Sequence, residues 1–165
     1  MAERSLNRAW LLTGGNMGNR GEFLQKAREA LELSCGKILK ASSLYETAAW
    51  GLQDQPAFLN QALVLETQLS AEQLLKRILS IEKELGRERD QKYGPRTLDI
   101  DILLFNEEII NTSKLVVPHP QLPLRRFALM PLAEIAADER HPVLEKTIAE
   151  LLEQCPDPLD VQKLK

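Results

Sequence analysis

The sequence is poor in the residues that mark several large classes of protein. Cysteine occurs only twice, at Cys35 and Cys155, with no C-x-x-C pair and no metal spacing, so the two read as reduced packing thiols of a cytoplasmic protein. No apolar run approaches the roughly 18 residues of a membrane span. The N-terminus carries Glu3, Arg4 and Arg8 before only a short apolar stretch, Ala9 to Leu12, which argues against a targeting segment. A basic excess is also missing. The formal charge is −3, which speaks against a broad nucleic-acid face, so any anion bound by the local basic cluster should be small. Two Trp, two Tyr and four Phe are all the aromatic residues. There is no internal repeat and no low-complexity segment. The 165 residues are 44% hydrophobic, enough for one compact domain, 1–165, with a substantial core.

What the chain does have is two carboxylates inside an apolar run, in Leu98-Asp99-Ile100-Asp101-Ile102-Leu103-Leu104-Phe105. Leu98, Ile100, Ile102 and Leu104 alternate with Asp99, Asp101 and Leu103, a period of two that predicts a strand with one buried face. Asp99 and Asp101 share the other face, with Cα atoms about 6.5–7 Å apart. At an effective dielectric near 20 the two charges repel by roughly 2–3 kcal/mol, a cost that a divalent cation reverses. Directly before this strand, residues 87–96 supply Arg87, Arg89, Lys92 and Arg96. Magnesium polyphosphate suits both signs, since carboxylates and phosphates share a hard cation while guanidinium forks take the remaining phosphate oxygens. Phosphoryl-type chemistry on a nucleotide follows as the first inference.

Elsewhere, Ala9 to Thr13 predicts a buried strand that enters the glycine-rich stretch 14–21, and a helix follows, with Phe23, Leu24, Ala27, Ala30, Leu31 and Ser34 at helical spacing up to Gly36. Ile38 to Glu46 predicts one strand, and Phe58 to Thr67 a longer one carrying Asn60. Ser70-Ala71-Glu72-Gln73 has capping-box form ahead of a helical stripe from Leu74 to Leu85. Asn106-Glu107 and Ile109-Ile110 suggest a short hairpin arm. Pro118, Pro120 and Pro123 predict irregular chain before a helix near Arg125 to Ile135, and a last helix around Thr147 to Leu152 precedes a polar tail. The order β-α-β-β-α-β predicts a ferredoxin-like α+β sheet with extra C-terminal elements.

The glycine stretch has neither the G-K-[ST] ending nor G-x-G-x-x-G spacing, so it reads as a tight turn or as a site lining. His119, between two prolines, is a candidate functional residue, whereas His141 reads as solvent-facing. Neither histidine has partners at the spacing of a hydrolase triad. Trp50, Phe58, Tyr93 and Phe127 lie in or beside loops near the charged features. With Asn60 they would suit a flat heteroaromatic ligand, stacked between rings and read at its edge by an amide.

Four blocks resemble the 6-hydroxymethyl-7,8-dihydropterin pyrophosphokinase family. They are Gly14-Gly15-Asn16-Met17-Gly18-Asn19, the run from Ser42 to Thr47 with Asp54 to Asn60, Gly94-Pro95-Arg96-Thr97-Leu98-Asp99-Ile100-Asp101-Ile102-Leu103-Leu104, and Val117-Pro118-His119-Pro120 with Arg125-Arg126-Phe127. The resemblance implies transfer of pyrophosphate from ATP to the pterin hydroxymethyl group in folate biosynthesis, with Asp99 and Asp101 holding two Mg²⁺ ions. It implies Arg87 and Arg96 as catalytic-loop arginines alongside those aspartates. Glu82, Arg89, Arg96, Ile102, Lys114, Leu115, His119 and Arg125 would contact ATP, and Thr47, Ala48, Trp50, Phe58, Asn60, Tyr93 and Phe127 the pterin. The partners implied are small-molecule substrates alone, and the chain is expected to be a monomer. Ala48 and Ala49 stand where the family usually has proline, and Lys114 where an arginine can occur, which keeps charge but loses the fork. Two rivals share some of these features: a two-metal nucleotidyltransferase palm, and a non-catalytic ferredoxin-like binding module. The acidic balance counts against the first, and the Asp pair beside four basic residues against the second.

Overall fold

The structure, a computed structural model, describes residues 6–16, 19–47, 57–85 and 98–164. Eight strands and four helices alternate among them: β1 (Asn7–Gly15), α1 (Arg20–Ser34), β2 (Gly36–Ala41), β3 (Tyr45–Thr47), β4 (Phe58–Thr67), α2 (Ala71–Glu84), β5 (Asp99–Phe105), β6 (Ile110–Asn111), β7 (Val116–Val117), α3 (Arg126–Ala136), α4 (Ile148–Glu153) and β8 (Val161–Lys163). The main sheet runs β5-β1-β4-β3-β8, with β2 also paired to β4 and every pairing among the described residues antiparallel. Two split β-α-β units interleave in this order, which is the expected ferredoxin-like α+β arrangement.

Local chemistry explains where the helices begin. The Asn19 side chain accepts from the Glu22 N–H at 3.1 Å, capping α1. The capping box before α2 is formed in both directions: Ser70 accepts from the Gln73 N–H at 3.2 Å and Gln73 from the Ser70 N–H at 2.9 Å. Both helices lie on one face of the sheet and bury Leu24, Leu31, Leu74 and Ile78 against Leu11, Leu63, Leu65 and Ile102. Helices α3 and α4 cover part of the other face, packing Leu129, Leu132, Ile148 and Leu151 on Trp10, Val64, Leu103 and Leu104. The covering is incomplete at one end of the sheet, and the candidate site lies there.

Several expectations need correction. The strand predicted over Ile38–Glu46 is in two pieces, β2 and β3, with Leu39 bulged out of the pairing with β4 and Ser42 turning its side chain to the Ala62 N–H. The alternation in β5 also breaks. Leu11 pairs with Ile102 but Trp10 pairs with Leu104, so Leu103 is an extra residue, and Leu104 joins the core under α3 and α4 rather than that of Ile102. The proline-rich connection contains a 3₁₀ turn, Leu122–Leu124, which tolerates Pro123 at its N-terminal end. The polar tail carries β8, which pairs with β3 and buries Val161. His141 is buried rather than solvent-facing, its Nδ1 accepting from the Val143 and Leu144 N–H groups. The hairpin arm exists as β6 and β7. Cys35 and Cys155 are both buried, as packing residues should be, and burial pushes the Cys35 thiol above its usual pKa.

Candidate active site

The site begins with the register of three adjacent strands. Asp99 of β5 lies opposite Gly14 of β1, and Gly14 lies opposite Asn60 of β4; one step along, Asp101 lies opposite Leu12. Because side chains alternate across a sheet, all of these project from the face that α3 and α4 leave open. At the usual strand spacing the carboxylate row and the Asn60 amide are separated by roughly 10 Å across β1. Gly14 keeps that space clear. A Cβ at this position would stand 2.1 Å from Asn60 Oδ1 and 3.3 Å from the Leu59 carbonyl oxygen. The glycine stretch thus lines a site rather than forming a turn at this residue, since Gly14 and Gly15 are both within β1.

These residues open into a cavity of about 520 Å³. Asp99 and Asp101 line one side, Thr47, Phe58 and Asn60 another, and Arg125 and Phe127 a third. The expected pterin-binding and metal-binding groups are therefore brought together wherever they are described. Asn60 is buried. The Thr47 hydroxyl is buried too and has no hydrogen-bond partner among the described residues, an unsatisfied group that a polar ligand atom would relieve. The Arg125 guanidinium carbon sits 5.5 Å from the centre of the Phe127 ring, so the charge and the stacking surface support each other.

The side chain of Glu82, on α2, is buried and accepts from the Ile100 N–H at 2.8 Å. Ile100 lies between the two aspartates on the outer edge of the sheet, so a carboxylate acceptor there holds the strand that presents them. His119 is placed by the β5 irregularity: its N–H donates to the Leu103 carbonyl at 3.0 Å, and its Nδ1 accepts from the Gln121 N–H at 3.1 Å. That leaves Nε2 as the protonated ring nitrogen of the neutral form. Burial lowers the His119 pKa below 6.5, with Asp101 opposing the shift and Arg125 adding to it. Ile102 and Leu115 are buried in the core under α1 and α2, and Lys114 is exposed on the turn between β6 and β7. With Glu82 and His119 they do not line the cavity, and they lie at β5 or beyond it. Arg87, Arg89, Arg96, Ala48, Trp50 and Tyr93 fall outside the described residues.

Further residues to which the sequence reading gave no role also shape the site. Arg20 donates to the Ala57 carbonyl at 2.8 Å and pairs with Glu46 at 2.7 Å, tying together the two chain segments that flank residues 48–56. Pro156, Asp157, Pro158 and Leu159 form a further wall of the cavity. Arg126 binds that segment through its Nε and Nη2, which donate to the Asp157 and Cys155 carbonyls. At the other end of α3, Glu134 accepts from the Ser43 N–H, the Ser43 hydroxyl and the Tyr45 hydroxyl, the last at 2.6 Å, and so fixes the helix against β3. Burial raises the Tyr45 pKa strongly and the Glu134 hydrogen bond raises it further.

Among known proteins, the chain is 44% identical over 141 residues to the 2-amino-4-hydroxy-6-hydroxymethyldihydropteridine pyrophosphokinase of Aquifex aeolicus, covering 86% of this chain and 88% of that protein. The Bacillus subtilis protein of the same name is 46% identical over 130 residues, 78% of each chain. The folic acid synthesis protein fol1 of Pneumocystis carinii is 41% identical over 148 residues, where the match takes 90% of this chain but only 20% of that longer protein. Among solved structures, wild-type Plasmodium falciparum HPPK-DHPS superposes with a TM-score of 0.74 at 18% identity, over 93% of this chain and 45% of that one, a likeness of fold. Residues 10–137 match the family described as 7,8-dihydro-6-hydroxymethylpterin-pyrophosphokinase. Because that match runs through every strand from β1 to β7 and through the Asp99–Asp101 pair, the chain belongs to the 7,8-dihydro-6-hydroxymethylpterin-pyrophosphokinase family.

Proposed function

We propose that the chain transfers the terminal pyrophosphoryl unit of ATP to the hydroxymethyl oxygen of 6-hydroxymethyl-7,8-dihydropterin, giving the pterin diphosphate and AMP in folate biosynthesis. The observation that carries this reading is the meeting, in one cavity, of the Asp99–Asp101 pair with Phe58, Asn60 and Phe127. In this reading Asn60 reads the edge of the pterin, the Thr47 hydroxyl supplies a second polar contact, and the Phe58 and Phe127 rings take the faces of the bicycle. The hydroxymethyl group then points across the space kept open by Gly14 toward the carboxylates.

Two Mg²⁺ ions fit the donor set. Asp99 and Asp101 offer hard oxygen donors from adjacent same-face positions, and magnesium is commonly held by one or two carboxylates together with substrate phosphates. When bound, the ions would neutralise phosphate charge and lower the pKa of the attacking hydroxyl. The protein's own part is positioning: β5 presents both carboxylates at fixed separation, Glu82 holds the strand edge between them, and His119 and Arg125 offer an N–H donor and a cation to phosphate oxygens. Arg87, Arg89 and Arg96, with Lys114, complete the proposed ATP contacts, and Ile102 and Leu115 the apolar ones. Ala48, Trp50 and Tyr93 complete the pterin side. No side-chain base stands out, and catalysis would rest on positioning and charge neutralisation.

The reading extends to a single pyrophosphokinase domain, 1–165, acting as a monomer in the cytoplasm. No helix among the described residues is long and apolar enough to cross a membrane. The test is incubation with Mg²⁺, ATP and 6-hydroxymethyl-7,8-dihydropterin, with AMP and ADP separated. Pterin-dependent AMP is expected; ADP, or turnover indifferent to the pterin, overturns the assignment.

A further inference from the structure

The wall made by Pro156–Leu159 lies beyond residues 10–137, the part of the chain that matches the family. Helix α3 begins at this wall without a cap of its own, since its N-cap residue is Arg125 and no side chain of that residue bonds the first turn. Asp157 supplies the missing acceptor from a distance of 31 residues: its Oδ2 accepts from the Arg126 N–H at 3.0 Å. Its Oδ1 accepts from the Leu159 N–H at 2.9 Å, which folds the wall back on itself. Arg126 returns the contact, with Nε donating to the Asp157 carbonyl at 3.1 Å and Nη2 to the Cys155 carbonyl at 3.2 Å. Successive helical residues point about 100° apart. Arg125 and Phe127 face the cavity, while Arg126 between them grips the wall.

We propose that Arg126 and Asp157 are positioning residues that lock the first turn of α3 to the C-terminal wall and thereby fix Phe127 for pterin binding. The inference rests on the pterin reading of the cavity. Neither residue needs to touch either substrate. The far end of α3 is already held by Glu134, so the orientation of its first turn rests on the three hydrogen bonds that join it to the wall. Releasing them lets the stacking ring and the wall move apart, which weakens the stacked ligand and leaves Asp99 and Asp101, on β5, in place.

The test is steady-state kinetics on the full chain, with each substrate varied in turn, for wild type, Asp157→Ala, Asp157→Asn and Arg126→Lys. For Asp157→Ala the KM for the pterin is expected to rise about tenfold or more, with kcat falling by less than the KM rises. Asp157→Asn keeps one good acceptor and Arg126→Lys one of two side-chain donations, so each should give an intermediate rise. ATP KM should move less than pterin KM in every variant. A lower melting temperature with pterin KM unchanged in all three means a structural role only and overturns the proposal, as does an equal rise in both KM values. If Asp157→Ala does not fold, the two conservative variants decide by the same criterion. Wild type without pterin-dependent AMP would instead remove the functional reading itself, so the two failures are distinct.

Discussion

Replacing Gly14 by alanine probes the least tolerant point of the site. The added Cβ would stand 2.1 Å from Asn60 Oδ1, 3.1 Å from its Cγ and 3.3 Å from the Leu59 carbonyl oxygen. The first two contacts are with a side chain that can rotate; the third is with backbone and is only slightly tight. The lower-energy response is therefore for Asn60 to swing away from β1, at a total cost of about 1–3 kcal/mol, the usual range for overpacking a filled site. In a chain of 165 residues that lowers the melting temperature by roughly 2–12 °C. The displaced amide should also lose its reach to the pterin edge, raising pterin KM. A double-mutant cycle separates these causes. In an Asn60→Ala background the two contacts with the amide disappear and only the slightly tight one with the Leu59 carbonyl remains, so most of the Gly14→Ala penalty should vanish, leaving a coupling of about 0.5–3 kcal/mol. Denaturant unfolding of the four proteins measures the cycle. Additive penalties would refute the claim that Gly14 is glycine in order to seat Asn60.

Two further outcomes follow from the same packing. Glu134→Ala removes the acceptor for the Tyr45 hydroxyl and for Ser43, stranding a buried phenol, and should cost about 1–3 kcal/mol by denaturant midpoint, with Glu134→Gln costing less. His141 has its pKa lowered by burial from 6.5. The folded state therefore binds that proton more weakly than the unfolded chain, and the associated stability is present above pH 6.5 and lost as pH falls through the lowered value. Unfolding free energy should drop on acidification with a slope of up to about 1.4 kcal/mol per pH unit from this group, and His141→Asn should flatten part of it. His119 acts in the same direction, so the variant keeps the remainder. An unchanged slope would contradict the assignment.

The parts of the site that were legible in the sequence are those with a cost in the wrong context. Aspartate is disfavoured in strands, so two of them at alternate positions of an apolar run marked both the strand and its open face. Ser70 and Gln73 marked a helix start because their spacing is the spacing of the reciprocal cap. What stayed hidden depends on contacts between distant segments. Ile102 to Phe105 are all apolar, so nothing in their pattern could reveal that Leu103 is bulged and that Leu104 changes face. In β8 only Val161 is buried, and the strand exists because β3 offers it an edge. His141 is buried by backbone N–H groups aimed at its ring, a local geometry with no composition signal. Asp157 and Arg126 bond mainly to backbone atoms 29–31 residues away, which no motif spacing records.

The most direct measurement of the central claim is pterin-dependent AMP release by wild type and by the Asp99→Asn/Asp101→Asn double variant, in Mg²⁺ and with folding checked by circular dichroism. Amides keep the shape of this strand face but lose the charge that holds a hard cation. The expected result is a folded protein whose AMP formation falls by at least about a hundredfold. A folded double variant that releases AMP at a near-normal rate would contradict the claim that this pair is where ATP and the pterin are brought together.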